Sequence, residues 1–237
     1  MRHLPENIAF ELSNRCNMSA IHPECPTDSK ADPIFLNTSI IMDAVLYMGT
    51  LNWKGNFYFN IYNEPLIDPR FYWLCKKVML KTEANIQIFT NGWYLNEYLY
   101  KEISSIGPGR IGWIVSVYSD SEEERLRKIE GLNVQRITLD ERKRIYSCPP
   151  TAKGPCLAPS IYPMINHRGE LVYCCMDYEY RNVIADLNEI PFSRVIGSCH
   201  RMKICDDLSN GIRNTDTCKR CPHIGWGISL KEWIKSQ

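Results

Sequence analysis

An α/β fold with a parallel sheet is predicted by two observations. Short apolar runs alternate with longer amphipathic segments through the first two-thirds of the chain, the pattern of repeated strand and helix units. A cluster of polar residues and prolines from Ser147 to Cys156 then marks a boundary, after which the texture changes. The strands are expected at residues 8–12, 56–61, 85–89, 111–117 and 134–139. The intervening segments 39–51, 68–81, 95–106 and 121–128 read as helices, with Asp68-Pro69 and Ser121-Glu-Glu-Glu as starts. Together they make a partial barrel or an open sheet. Beyond the boundary, residues 160–166 and 170–175 flank His167-Arg168-Gly169 as a β-hairpin, followed by a helical segment and a Cys218-Lys-Arg-Cys221 pair.

Composition bounds the function classes. The 237 residues, 44% hydrophobic and 23% charged, suit a folded domain with a small appendage. Lysine and arginine total 28 against 27 acidic residues, so no overall field favours nucleic acid or an anionic membrane. No apolar run approaches the roughly 20 residues of a membrane span, and Met-Arg-His-Leu-Pro-Glu-Asn is unlike a signal peptide. The cytoplasm is the expected compartment, and the eleven cysteines are expected as thiols or metal thiolates rather than disulfides.

Ligands of α/β sheets bind beyond the carboxyl ends of the strands, and the residues there are rich in chemistry. The first strand runs into Ser13-Asn-Arg-Cys16-Asn, followed by His22 and Cys25. The second ends in Tyr62-Asn63-Glu64-Pro65-Leu66, the third in Thr90-Asn91-Gly92, and the fourth carries Ser116 and Tyr118.

These four segments, in this order, resemble the radical S-adenosylmethionine superfamily. Glu-Leu-Ser-Asn-Arg-Cys-Asn is similar to that family's approach to its first cluster cysteine, and Tyr-Asn-Glu-Pro-Leu-Ile-Asp-Pro to its Gly-Gly-Glu-Pro loop, which receives the methionyl amino group. Phe-Thr-Asn-Gly resembles the third-strand signature and Val-Ser-Val-Tyr the fourth, which faces the cofactor's ribose. The resemblance implies a partial (β/α)6-type barrel, a [4Fe-4S] cluster and S-adenosylmethionine. The cofactor would be held by Tyr62, Asn63, Glu64, Pro65, Thr90, Asn91, Ser116 and Tyr118.

One departure stands out. The family's usual loop has three cysteines separated by three and then two residues, whereas this chain has Cys16 and Cys25 with eight residues between them. His22 sits where a middle cysteine falls if the first gap is lengthened, and imidazole replaces thiolate in some iron–sulfur centres. A neutral ligand raises the cluster potential, and each 59 mV shifts a one-electron equilibrium about tenfold. The alternative role for His22 is a hydrogen bond within the loop. Cys75, inside a helical segment, is expected in the core.

Cys156, Gly169, Cys174, Cys218 and Cys221 resemble the abbreviated auxiliary-cluster module called a twitch domain, a shortened SPASM domain. The glycine permits the hairpin turn that returns Cys174 toward the other thiols. Taken alone, four cysteines ending in Cys-x-x-Cys also satisfy tetrahedral zinc. Attached to a radical core, the set implies one auxiliary [4Fe-4S] cluster. The chain then divides into a core at 1–147 and a β-hairpin plus helix module at 148–237.

The expected activity is that of an oxidoreductase. A 5′-deoxyadenosyl radical abstracts hydrogen from a small polar sugar or aminocyclitol-like substrate, and the auxiliary cluster accepts a second electron. Flavodoxin or ferredoxin would supply the first. Epimerisation or peptide modification is the alternative, with Cys175 and Cys148 as candidate hydrogen donors. A noncatalytic iron–sulfur or zinc protein on a decayed core is the second alternative. Arg136, Arg142 and Arg144 either grip a polar substrate or cofactor carboxylate near the domain junction or, the favoured reading, lie at the solvated surface, and Trp93, Tyr94 and Tyr118 near strand ends either line a pocket or pack.

Overall fold

The structure, a computed structural model, describes residues 4–21, 25–27, 31–137 and 146–221. Five strands alternate with helices: β1 (Asn7–Phe10), α1 (Thr38–Thr50), β2 (Asn56–Tyr58), α2 (Phe71–Lys81), β3 (Asn85–Thr90), α3 (Glu97–Ile106), β4 (Ile111–Val117), α4 (Asp120–Arg127) and β5 (Val134–Arg136). The remainder comprises α5 (Ala158–Ile161), β6 (Met164–Ile165), β7 (Glu170–Val172), β8 (Val183–Asp186), α6 (Phe192–Val195), α7 (Cys199–Ser209) and α8 (Asp216–Arg220).

Among the described residues all eight strands form one sheet, in the order β5-β4-β3-β2-β1-β6-β7-β8. The pairings from β5 across to β6 are parallel, and β6–β7 and β7–β8 are antiparallel. The α/β fold and the hairpin expected from the sequence are therefore present. The hairpin's first strand joins the core directly: Ala9 N–H donates to Pro163 O (3.0 Å) and Glu11 N–H to Ile165 O (2.8 Å).

Period-two alternation separates the two faces of the sheet. Ile8, Phe10, Phe57, Ile86, Ile88, Val115 and Val117 bury against the helices in the main core, where Phe10 stacks on Phe57 at 5.8 Å. Each such side chain contributes about 1.5–3 kcal/mol by leaving water. Ala9, Tyr62, Met164, Val172 and Tyr180 form a second, smaller cluster. Helix starts follow their caps: the side chains of Asn37, Asn96, Ser119, Ser198 and Thr215 each accept from a first-turn N–H.

Several boundaries depart from expectation, among them the end of β2 at Tyr58 rather than residue 61. The second helix starts at Phe71 rather than Asp68, because Pro65–Ile67 forms a 3-10 turn capped by Glu64. Asp68 instead pairs with Arg70 (2.7 Å), whose guanidinium donates to Leu36 O and Leu12 O. Ser160, expected in a strand, lies in α5, where Pro159 occupies the first turn and presets its dihedral angle. A further strand, β8, intervenes between the hairpin and the helical segment expected after it, which is present as α7, and Tyr173 N–H extends the β7–β8 pairing by donating to Asn182 O.

Candidate active site

The strand ends and the loop after β1 enclose a cavity of about 160 Å3. Cys16 and Cys25 stand in its wall beside Tyr62, Asn63 and Glu64 from the loop after β2. Thr90 and Asn91 close the β3 end, and Ser116 and Tyr118 the β4 end. Pro65 is buried behind them at the start of the 3-10 turn. His22, Arg142 and Arg144 lie outside the described residues.

Glu64 organises this cavity. It is 2% exposed. One carboxylate oxygen accepts from Thr90 Oγ1 (2.6 Å) and Leu66 N–H (3.1 Å), the other from Asn91 N–H (2.8 Å). Burial pushes its pKa from 4.5 up to about 7, and these hydrogen bonds oppose the rise. A cationic group docking here would favour the carboxylate.

The loop bearing the two cysteines is tied down at both ends. Glu64 N–H donates to Arg15 O (2.9 Å), Asn91 Nδ2 to Asn17 Oδ1 (2.8 Å), and Thr27 Oγ1 to Tyr62 O (3.1 Å). Asn91 Nδ2 also lies 4.0 Å from Cys16 Sγ. Asn63 braces its own loop, donating to Phe59 O and accepting from Ile61 N–H.

Two further cavities adjoin. An outer one of about 420 Å3 shares Met18, Asn91 and Tyr118 with the first and includes Trp93 and Glu122. Trp93 is 57% exposed. An inner one of about 250 Å3 shares Asn60, Ile61 and Phe89, and reaches Tyr58, Tyr162 and Cys175. Burial raises the pKa of Tyr58 and, more strongly, of Tyr162, so both phenols stay neutral. Arg136 pairs at the surface with Asp120 (3.0 Å). Cys148 lies away from these walls, its carbonyl accepting from Arg220.

Cys156, Cys174, Cys175, Cys218 and Cys221 group where the second part of the chain folds back. Cys174 interacts electrostatically with Cys175, Cys218 and Cys156, and Cys218 with Cys156 and Cys221. Burial, then the neighbouring thiols, pushes the Cys174 pKa well up. A bound cation reverses that ordering by stabilising thiolates. Among the described residues no group of three or more His, Cys, Asp or Glu side chains is placed to hold a metal ion. The donor type, soft thiol sulfur, is the type that iron–sulfur clusters take. Cys75 is buried in α2, as expected.

Sequence reasoning missed a junction between the parallel strand β1 and the antiparallel part of the sheet. Glu11, 2% exposed, directs one oxygen at Tyr180 OH (2.7 Å), His167 Nδ1 (2.6 Å) and His167 N–H (3.1 Å). Tyr180 packs on Tyr62 at 5.7 Å, and the Tyr62 hydroxyl donates to the carbonyl of Cys175. The signal available was a carboxylate at the end of an otherwise apolar strand.

No protein-family model matches the chain, and no curated protein does. Solved structures do. BtrN in an open conformation aligns over 95% of this chain and 96% of its own, with 19% identity and a TM-score of 0.75. The fold is that of BtrN. A second BtrN structure, in complex with AdoMet and 2-DOIA, gives the same identity and coverage and a TM-score of 0.74. The structure of anSMEcpe with bound AdoMet and Cp18Cys peptide aligns less closely, at 9% identity over 92% of this chain and 86% of its own, with a TM-score of 0.51. The fold implied by the radical S-adenosylmethionine resemblance is the fold the chain has.

Proposed function

We propose that the chain is a radical S-adenosylmethionine oxidoreductase acting on a small polar molecule. The observation that carries this reading is convergence: Cys16, Cys25, Glu64, Thr90, Asn91, Ser116 and Tyr118, from four strand ends, face one cavity. Likeness to a BtrN structure holding AdoMet and 2-DOIA supports it.

In this reading Cys16, Cys25 and His22 hold the first cluster, and Cys156, Cys174, Cys218 and Cys221 the auxiliary one. When bound, the clusters supply the electron that splits S-adenosylmethionine into methionine and a 5′-deoxyadenosyl radical, and the acceptor for the electron the substrate radical releases. The protein's residues bind and orient. Thr90 and the Asn91 N–H fix the Glu64 carboxylate, which would meet the ammonium group of the cofactor, and Ser116 and Tyr118 would face its ribose. Tyr58 and Phe89, 5.8 Å apart, line the inner cavity. The net change would be a two-electron oxidation, alcohol to ketone: the carbon-bound hydrogen leaves as a hydrogen atom to form 5′-deoxyadenosine, the second electron goes to the auxiliary acceptor, and the hydroxyl proton goes to solvent. The core would span 1–147 and the auxiliary module 148–237, with flavodoxin or ferredoxin as reductant. No described helix is long and apolar enough to cross a membrane.

Anaerobic purification with iron and sulfide analysis, then incubation with dithionite and S-adenosylmethionine, tests the reading. Roughly eight irons with 5′-deoxyadenosine release is expected; zinc with no cleavage refutes it. Epimerisation is a second reading, favoured by the position of Cys175 in the inner cavity wall. Under it, Cys175→Ala abolishes product formation while cofactor cleavage continues.

A further inference from the structure

The inner cavity is lined by aromatic and apolar groups, and among the described residues no charged side chain stands in its wall. Tyr58 forms one side, with Tyr162 at 5.0 Å and Phe89 at 5.8 Å between ring centroids. At about 250 Å3 it is smaller than the roughly 300–1,000 Å3 of drug-sized sites, so it admits one small ring rather than a chain.

Asn60 stands in the partition between this cavity and the one organised by Glu64. Its Oδ1 is buried and finds no hydrogen-bond donor among the described residues. An unmet buried acceptor costs about 1–3 kcal/mol, and the neighbouring amide Asn63 shows that this loop satisfies such groups where it can. The Asn60 oxygen is closed off from water, but rotation about a terminal amide torsion is soft and turns it toward the space the side chain lines.

We propose that Asn60 determines substrate specificity: its side-chain carbonyl accepts a hydrogen bond from a hydroxyl of an uncharged, polyol-like ring seated against Tyr58 and Tyr162. This rests on the proposed function and narrows its substrate class. The walls disfavour a phosphate or carboxylate, since a charge buried there would have no counter-ion. Aromatic faces suit the apolar faces of a ring, and the amide reads one of its hydroxyls.

The test is calorimetric titration of the anaerobic holoprotein with myo-inositol, scyllo-inositol and myo-inositol 1-phosphate, in wild type, Asn60→Ala and Asn60→Gln. At least one of the two unphosphorylated rings should bind wild type, with the phosphorylated ring at least about tenfold weaker. Asn60→Ala should weaken binding roughly five- to hundredfold, whereas Asn60→Gln, which keeps the side-chain carbonyl, should retain more of it than Asn60→Ala. Failure of both unphosphorylated rings to bind wild type, equal affinity in Asn60→Ala, or equal binding of the phosphorylated ring overturns the proposal. So does an equal loss of S-adenosylmethionine affinity in Asn60→Ala. The same preparations are assayed for 5′-deoxyadenosine. Cleavage without Asn60-dependent ring binding sinks the specificity role alone, and Asn60-dependent binding without cleavage sinks the radical activity alone.

Discussion

Glu64 should make the cluster-free protein lose stability as pH rises, opposite to the usual carboxylate. Its pKa is about 7 in the folded chain against 4.5 ordinarily. Between those values the native state holds a proton that the unfolded state has released, so stability falls with pH. The full shift corresponds to about 3 kcal/mol, of which about 2 to 3 falls between pH 5 and pH 8. Glu64→Gln removes the titration. It also sets an amide N–H against the Asn91 N–H, a fixed cost visible at every pH. Urea unfolding of wild type and Glu64→Gln at pH 5, 6, 7 and 8 separates the two effects. Other groups titrate in both proteins, so the wild-type-minus-variant difference is the readout. It should narrow by about 2 to 3 kcal/mol as pH rises. A difference that is constant with pH, or that widens, refutes the assignment.

Glu11→Ala leaves Tyr180 OH and both His167 donors unmet, and should cost roughly 2–5 kcal/mol in urea unfolding; a loss below about 0.5 kcal/mol would show that water replaces the carboxylate. Gly169→Ala should destabilise by more than about 1 kcal/mol, because φ is +87° and the new Cβ would lie 2.7 Å from Ile40 Cδ1 and Asn188 Nδ2. An unchanged melting temperature would refute that strain. Cys218→Ala should reduce iron in the anaerobic protein from roughly eight to roughly four per chain; unchanged iron removes Cys218 from the ligand set.

The helix and strand pattern was legible wherever side chains repeat locally. β4 matches its expected span because alternating burial of Trp113, Val115 and Val117 leaves one register. The displaced start of α2 was not legible, since the Glu64 cap and the Asp68–Arg70 pair compete with a simple helix start at Asp68-Pro69. β8 is four residues long with one largely exposed face, too little pattern to read. The cavity around Glu64 was legible because its residues follow strand ends one by one. The Glu11 junction was not, because its partners lie 156 and 169 positions further along the chain. Nor was Asn60, whose significance lies in a missing partner.

The parallel pairing of β1 with β6 also constrains how the molecule is made. One side of β1 is satisfied once β2 has emerged, at residues 56–58, but the other waits for residues 164–165. During synthesis that flank is an open edge, with Ala9 and Glu11 N–H groups unpaired until more than two-thirds of the chain has left the ribosome. The nascent chain therefore passes through a long interval in which an exposed strand edge invites mispairing, and slow pairing between distant segments prolongs it. Yield of native protein should depend on translation speed and chaperone supply more than on the stability of the finished fold.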